Sequence, residues 1–236
     1  MRKGKDGVYA RFIKRILDIV LAFTAMVLLS WLYAILAVKV RRNLGSPVLF
    51  AQPRPGKGEK IFRLYKFRSM TDERDADGNL LPDEQRLTTF GKWLRGTSMD
   101  ELPQLWNVLR GDMSLIGPRP QLVRDMVFMT PEQRRRHDVR PGISGLAQVS
   151  GRNALEWERK LEKDVEYVSN LSFWLDLQIL WKTVSHVVFH TKGKDEGDAD
   201  EIALTDDFGD YLLESGQISQ EEYTQRQMEA LQMLRF

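Results

Sequence analysis

Two adjacent carboxylates, Asp100 and Glu101, stand in the stretch GTSMDELPQLWNVLRGDMSLIGPRP, residues 96–120. An arginine, Arg119, follows between Pro118 and Pro120. A carboxylate beside a phosphate can hold Mg²⁺, which usually binds through one or two carboxylates plus substrate phosphates. It can also attack phosphorus and carry it covalently. Prolines on both sides leave an arginine less backbone freedom to lose when its planar fork settles on a phosphate. A plainer reading competes: Asp100 as a helix N-cap, or Ser98 as the cap with Glu101 closing a capping box. Acids in a first helical turn also gain from the macrodipole. Local pattern alone leaves both readings standing.

The elements that must position these groups are readable around them. Leu102, Leu105, Trp106 and Leu109 follow the i, i+3, i+4, i+7 spacing of a helix that Gly111 stops. Pro103 fits such a helix only in its first turn, so the acids lie at its N-terminus, a natural phosphate cradle. Val48 to Met70 reads as two strands around the turn PRPGKGE, and in RLYKFR an extended chain puts Lys66 and Arg68 on one face. Asp72 to Asp83 is a polar loop with a turn at Asp77-Gly78, and it lacks the terminal glutamate of a calcium loop. His137 to Asn153 reads as a glycine-punctuated loop, and Glu156 to Tyr167 as a charged helix. Phe173 to Phe189 carries large apolar residues at helical spacing, either a core helix or one lying on a membrane surface. His186 within it stands as an ordinary packed or surface histidine.

Composition narrows the partners. The chain of 236 residues has no cysteine, which excludes a disulfide scaffold and thiolate metal sites. Its net charge of +2 hides an asymmetry: from Asp195 onward there are 12 acids and two bases, so the remainder carries +12. A basic body suits nucleic acid, phospholipid or phosphorylated substrates. The N-terminus makes nucleic acid remote, because Ile19 to Val38 is uncharged over 20 residues, enough for one membrane crossing. Basic residues flank both ends, Arg11, Lys14 and Arg15 before and Lys39, Arg41 and Arg42 after. A straight span would put one cluster on the disfavoured side, whereas a helix that enters, bends and returns satisfies both. Ser30 is placed to bend it through a bond to a preceding carbonyl. Dip and span both remain open on the residues alone. Past Lys192 an acidic linker leads into two short helices around Gly216, with Ser219 and Glu222 in a capping-box pattern. These form a packing or self-association hairpin.

Three runs carry a resemblance: RPGKGEKIFRLYKFRSM, LRGTSMDELPQLWNVLRGDMSLIGPRP and HDVRPGISGLAQVSGRN. Together they resemble the bacterial monotopic phosphoglycosyl transferases, the bacterial sugar transferase family, from about Phe12 to Phe189. Within it the chain looks like the small stand-alone type that initiates N-linked glycosylation with diacetylbacillosamine. The resemblance implies transfer of a sugar 1-phosphate from a UDP-sugar to undecaprenyl phosphate, with release of UMP. It implies that Asp100 is the nucleophile that forms a covalent phosphosugar intermediate, with ping-pong kinetics and Mg²⁺ held at Asp100. Glu101 matches the second acid, Arg119 the phosphate-holding arginine of the Pro118–Pro120 motif, and Lys66, Arg95 and Arg140 further basic positions. The family's helix kinks at Ser-Pro, where this chain has Ser30-Trp31.

The expected fold is therefore α+β and helix-rich. It combines a re-entrant membrane helix over residues 1–44 with a compact cytoplasmic catalytic domain over 45–191, holding a small β-hairpin and amphipathic surface helices. An acidic linker and helical hairpin over 192–236 complete it. Expected partners are the donor, the lipid acceptor and the lipids of the bacterial inner membrane, with a second copy or a pathway glycosyltransferase as protein partner and no nucleic acid. The competing function is a non-catalytic membrane anchor that recruits polysaccharide-assembly enzymes.

Overall fold

The computed structural model describes residues 7–151, 156–189 and 207–235. The expected linker at 192–201 and the end of the loop expected to reach Asn153 lie outside them. The apolar N-terminus forms two helices, α1 (Lys14–Leu28, led in by a π turn at Tyr9–Ile13) and α2 (Ser30–Leu44). They meet at 64°. The break is at Leu29, whose backbone leaves helical geometry one residue before Ser30. No single described helix is long and apolar enough to cross a membrane; only this bent pair passes by length and composition.

Helix α1 is polar on the inside. Lys14 and Asp18 are buried one turn apart, with Ala22 next on the same stripe. Lys14 Nζ lies 2.6 Å from Asp176 Oδ2, and Asp18 Oδ1 accepts the Leu115 N–H at 3.0 Å. Arg15 donates to the Val108 and Leu109 carbonyls. Two of the three basic residues before the apolar run are therefore tied into the body rather than standing as free flanks. Phe12, Ile16, Val20, Phe23 and Val27 point outward and are more than half exposed. Along α2, Leu36, Val40 and Leu44 pack with Phe67 and Leu94, so this arm also lies on the body.

The body holds the expected hairpin, β1 (Leu49–Pro55) against β2 (Ile61–Phe67), antiparallel with Phe50 opposite Lys66. A short helix α3 (Asp83–Arg86) leads to α4 (Thr89–Gly96), capped by the Thr88 hydroxyl, and then α5 (Gln104–Arg110), ended by Gly111 at φ 93°. Strand β3 (Ser114–Ile116) pairs in parallel with β4 (Gly142–Ser144). Between them lie α6 (Val123–Met126) and α7 (Pro131–Arg134). The sequence reading of His137 to Asn153 as loop is corrected here: it contains β4 and then α8 (Leu146–Gly151). The signal was weak because β4 is three residues long and glycine-bounded, a short pairing that periodicity does not reveal.

Helices α9 (Trp157–Asn170) and α10 (Phe173–Phe189) follow the sequence reading closely. Ile179 of α10 is buried, yet Trp174 and Trp181 are among the most exposed apolar residues of the chain. The C-terminal hairpin, α11 (Phe208–Glu214) and α12 (Gln220–Met233), shares a core with α6 and the turn after it. Phe208, Leu212 and Ala230 pack there with Val123, Met126, Val127, Phe128 and Met129. Ser219 Oγ accepts the Glu222 N–H, the cap that its spacing predicts.

Candidate active site

Asn107 joins the two elements that carry the charges. It is fully buried on α5, where it reaches across to β2: its side-chain oxygen accepts the Tyr65 N–H at 3.1 Å, and its amide donates to the Arg63 carbonyl at 2.7 Å. A side-chain amide thus takes both roles of a neighbouring strand and satisfies two backbone groups of β2. The next residue along β2 is Lys66, and the turn ahead of α5 holds the carboxylates.

Helical spacing points to Leu102, Leu105, Trp106 and Leu109 as the inner face of α5. In the structure that face is Leu105 and Val108 with Gln104 and Asn107, while Trp106 is 50% exposed. The polar members of the face made it invisible to an apolar periodicity.

Asp100 and Glu101 sit in a 3₁₀ turn, Met99–Glu101, entered through Ser98 at φ 55°. Neither that turn nor α5 has a side-chain cap bond, so the capping readings fail. The Glu101 carboxylate instead bridges two cations, with Oε1 at 3.1 Å from Lys66 Nζ and 2.7 Å from Arg119. Asp100 is 6% exposed and its nearest cation is Lys66, at 4.0 Å. Burial, and next the Glu101 charge, push the Asp100 carboxyl up to about 6 despite Lys66, Arg119 and Arg95. Burial acts the same way on Glu101, but Arg119 and Lys66 outweigh it and hold that carboxyl at about 2. One acid of the pair is firmly ionised and the other is poised near neutrality.

The remaining expected residues divide. Arg95 donates to Ser69 Oγ at 3.0 Å and lies within the field of Asp100. Pro118 and Pro120 are buried, so they present Arg119 rather than offer contact surface, and the Arg119 side chain is 42% exposed between them. Arg140 stands apart from this cluster. It donates to the Gly111 carbonyl at 2.8 Å, at the far end of α5 beside Arg15. That is roughly 10 Å of helix from the acids, where a cation suits the negative end of the dipole.

The sequence reading missed the groups that hold the Arg119 segment. Each carbonyl of Pro118-Arg119-Pro120 has a donor. The Gly142 N–H bonds Pro118 at 2.9 Å, Arg136 bonds Arg119 at 2.5 Å and Arg54 bonds Pro120 at 3.1 Å. Gly142 is required by that approach, because a Cβ there would lie 2.1 Å from the Gly117 nitrogen. Arg136 lies in an arginine run and Arg54 between two prolines at the hairpin turn, and nothing in spacing marks either as inward-facing.

Among the described residues no group of three or more His, Cys, Asp or Glu could hold a metal. The pair itself fits a magnesium ion of the kind that takes most of its ligands from phosphates and water. Asp100, buried and with no cation closer than Lys66 at 4.0 Å, is the carboxylate such an ion would relieve.

The chain's relatives agree in kind. The "Bacterial sugar transferase" family matches residues 9–190. The uncharacterized sugar transferase EpsL of Bacillus subtilis is 54% identical over 75% of this chain and 87% of its own length. A UDP-N-acetylgalactosamine-undecaprenyl-phosphate N-acetylgalactosaminephosphotransferase of Aeromonas hydrophila is 43% identical over 77% of this chain and 44% of its own. The undecaprenyl-phosphate galactose phosphotransferase of Salmonella typhimurium is 38% identical over 76% and 41%. The chain thus spans less than half the length of the latter two. With the match running from α1 through α10, it belongs to the bacterial sugar transferase family.

Proposed function

We propose that the chain is a phosphoglycosyl transferase that moves a sugar 1-phosphate from a UDP-sugar to undecaprenyl phosphate and releases UMP. The observation that carries the reading is the buried Asp100, unspent on any cap and flanked by Glu101 with Lys66 and Arg119. A carboxylate Oδ of Asp100 attacks the β-phosphorus of the donor. The bond from that phosphorus to the bridging oxygen breaks, and UMP leaves with the electron pair. A phosphate oxygen of undecaprenyl phosphate then attacks the same phosphorus, the bond to Asp100 breaks, and the carboxylate is restored.

The Arg119 fork and Lys66 bind and orient the phosphates and stabilise charge on the phosphoryl oxygens, as electrostatic catalysis of phosphoryl transfer requires. Glu101 holds these two cations, so a diphosphate that binds them competes with an internal carboxylate. Mg²⁺, held by Asp100 with the donor phosphates, would neutralise developing charge when bound.

The site belongs at a lipid surface on this reading. Both arms of the bent pair lie on the body while their outer faces expose Phe12, Ile16, Phe23, Val27 and Trp31, and α10 adds Trp174 and Trp181. So broad an apolar surface is atypical of a protein in water. This supports a re-entrant helix at a lipid surface, which we propose to be the inner membrane with the catalytic body on its cytoplasmic side. The donor sugar is proposed to be an N-acetylated amino sugar such as N,N′-diacetylbacillosamine. The N-acetylgalactosamine named for one relative falls in that class, and the galactose and glucose named for others set the competing donors.

A panel of UDP-sugars with undecaprenyl phosphate, read out by UMP release, tests both reaction and donor. Donor without acceptor should leave a phosphosugar on the peptide containing Asp100, detectable by mass spectrometry. Turnover by Asp100→Asn near the wild-type rate would exclude the covalent role and restore the anchor reading.

A further inference from the structure

We propose that Arg136, clamped by Asp164, is a positioning residue that holds the backbone of Arg119 and so aims its guanidinium at the donor phosphates. This rests on the proposed function. Arg136 and Asp164 are each 2% exposed. Nε and Nη2 of Arg136 meet the same Asp164 oxygen at 3.0 and 2.6 Å, and Nη2 also reaches the Arg119 carbonyl.

A buried ion pair is seldom kept for stability alone, since apolar residues of similar volume often serve as well. Here the pair does something that an apolar replacement cannot. Pro118 and Pro120 fix their own φ angles and have no N–H, so the motif can be tied down only through its carbonyls and the single Arg119 N–H. Its middle carbonyl belongs to Arg119 itself, and a rigid guanidinium fork lying against a carboxylate presents a donor to that oxygen in a fixed direction. Asp164 comes from α9 and Arg136 from the 3₁₀ turn Arg135–Asp138, so the clamp also fixes the motif to a helix remote from the acids. Arg119 then meets the phosphates with its backbone already ordered, which is where orientation is gained.

The test is a double-mutant cycle between the clamp and its client. Arg136→Met with Asp164→Leu removes the pair without leaving a buried charge, and Arg119→Ala removes the client. Two quantities are read, kcat/KM for the UDP-sugar and the affinity for UDP by calorimetry, with melting temperature alongside. We expect the clamp variant to melt near wild type while kcat/KM and UDP affinity each fall about tenfold. In the Arg119→Ala background the same change should alter either by less than about twofold. Equal losses in both backgrounds, or no loss in the wild-type background, would overturn the inference.

If the apolar pair does not fold, Arg136→Lys enters the same cycle, because it keeps the charge but loses the rigid planar fork that reaches Asp164 and the Arg119 carbonyl together. UDP that binds through Arg119 without turnover of any UDP-sugar would refute the proposed reaction while leaving the clamp to be judged on affinity. No UDP binding by the wild type would refute both.

Discussion

Replacing Asp100 by Asn should make the protein more stable at neutral pH while abolishing its activity. The carboxyl is 6% exposed, and burial and then Glu101 lift it from 3.8 to about 6 in the folded chain. In the unfolded chain it ionises near its ordinary value. Above about pH 6 both states are ionised, and the folded state bears the full cost of burying the charge. Below about pH 4 both are protonated and the cost is gone. About two pKa units correspond to about 3 kcal/mol, the most that the neutral amide can recover. For a chain of this size that is of the order of 5–10 °C in melting temperature. The assay is thermal unfolding in detergent, followed by tryptophan fluorescence, of wild type and Asp100→Asn at pH 7.5, 6 and 4. The variant should melt higher at pH 7.5, and the gap should close by pH 4. A variant that melts at or below wild type at pH 7.5, or whose advantage persists unchanged at pH 4, would show that Asp100 does not carry a buried charge.

Glu101→Gln removes the second cause of the raised Asp100 carboxyl, so the acid limb of donor-dependent adduct formation should move to lower pH by on the order of one unit. A limb that stays put, or moves up, contradicts the electrostatic account of the pair. Asn107→Leu keeps the volume but orphans the Tyr65 N–H and Arg63 carbonyl, and should cost about 2–4 kcal/mol in denaturant titrations; a loss below about 0.5 kcal/mol would show that α5 and β2 are joined by other means. Trp174→Ser with Trp181→Ser should lower the fraction that floats with anionic vesicles while leaving UMP release in detergent within about twofold. Unchanged flotation would remove α10 from the lipid surface.

Much of the fold was legible because its elements bury ordinary apolar stripes or turn at glycine. The β1–β2 hairpin, the stop at Gly111 and the Ser219 cap all follow from residue type and spacing. What escaped reading are the places where polar groups face inward. Gln104 and Asn107 on α5, Lys14 and Asp18 on α1, and Arg136 with Asp164 each replace an apolar residue at a buried position. The ion-pair partners stand 28 residues apart for Arg136 with Asp164 and 162 for Lys14 with Asp176, and no local pattern points to them. The acids and Arg119 were readable as a constellation through the family resemblance. Arg140, one of the further basic positions by that route, stands at the other end of α5, because position relative to a motif does not fix the direction of a side chain.

Gly209 sits where a Cβ would come within 2.5 Å of the Phe128 ring. The C-terminal helices therefore fit residues 123–129 as a keyed graft, with the missing methyl group as the notch. The family match stops at residue 190, short of them. Transplanting these helices onto a shorter relative would require moving the socket as well, and trimming them here would leave Val123, Met126 and Phe128 as a bare adhesive patch.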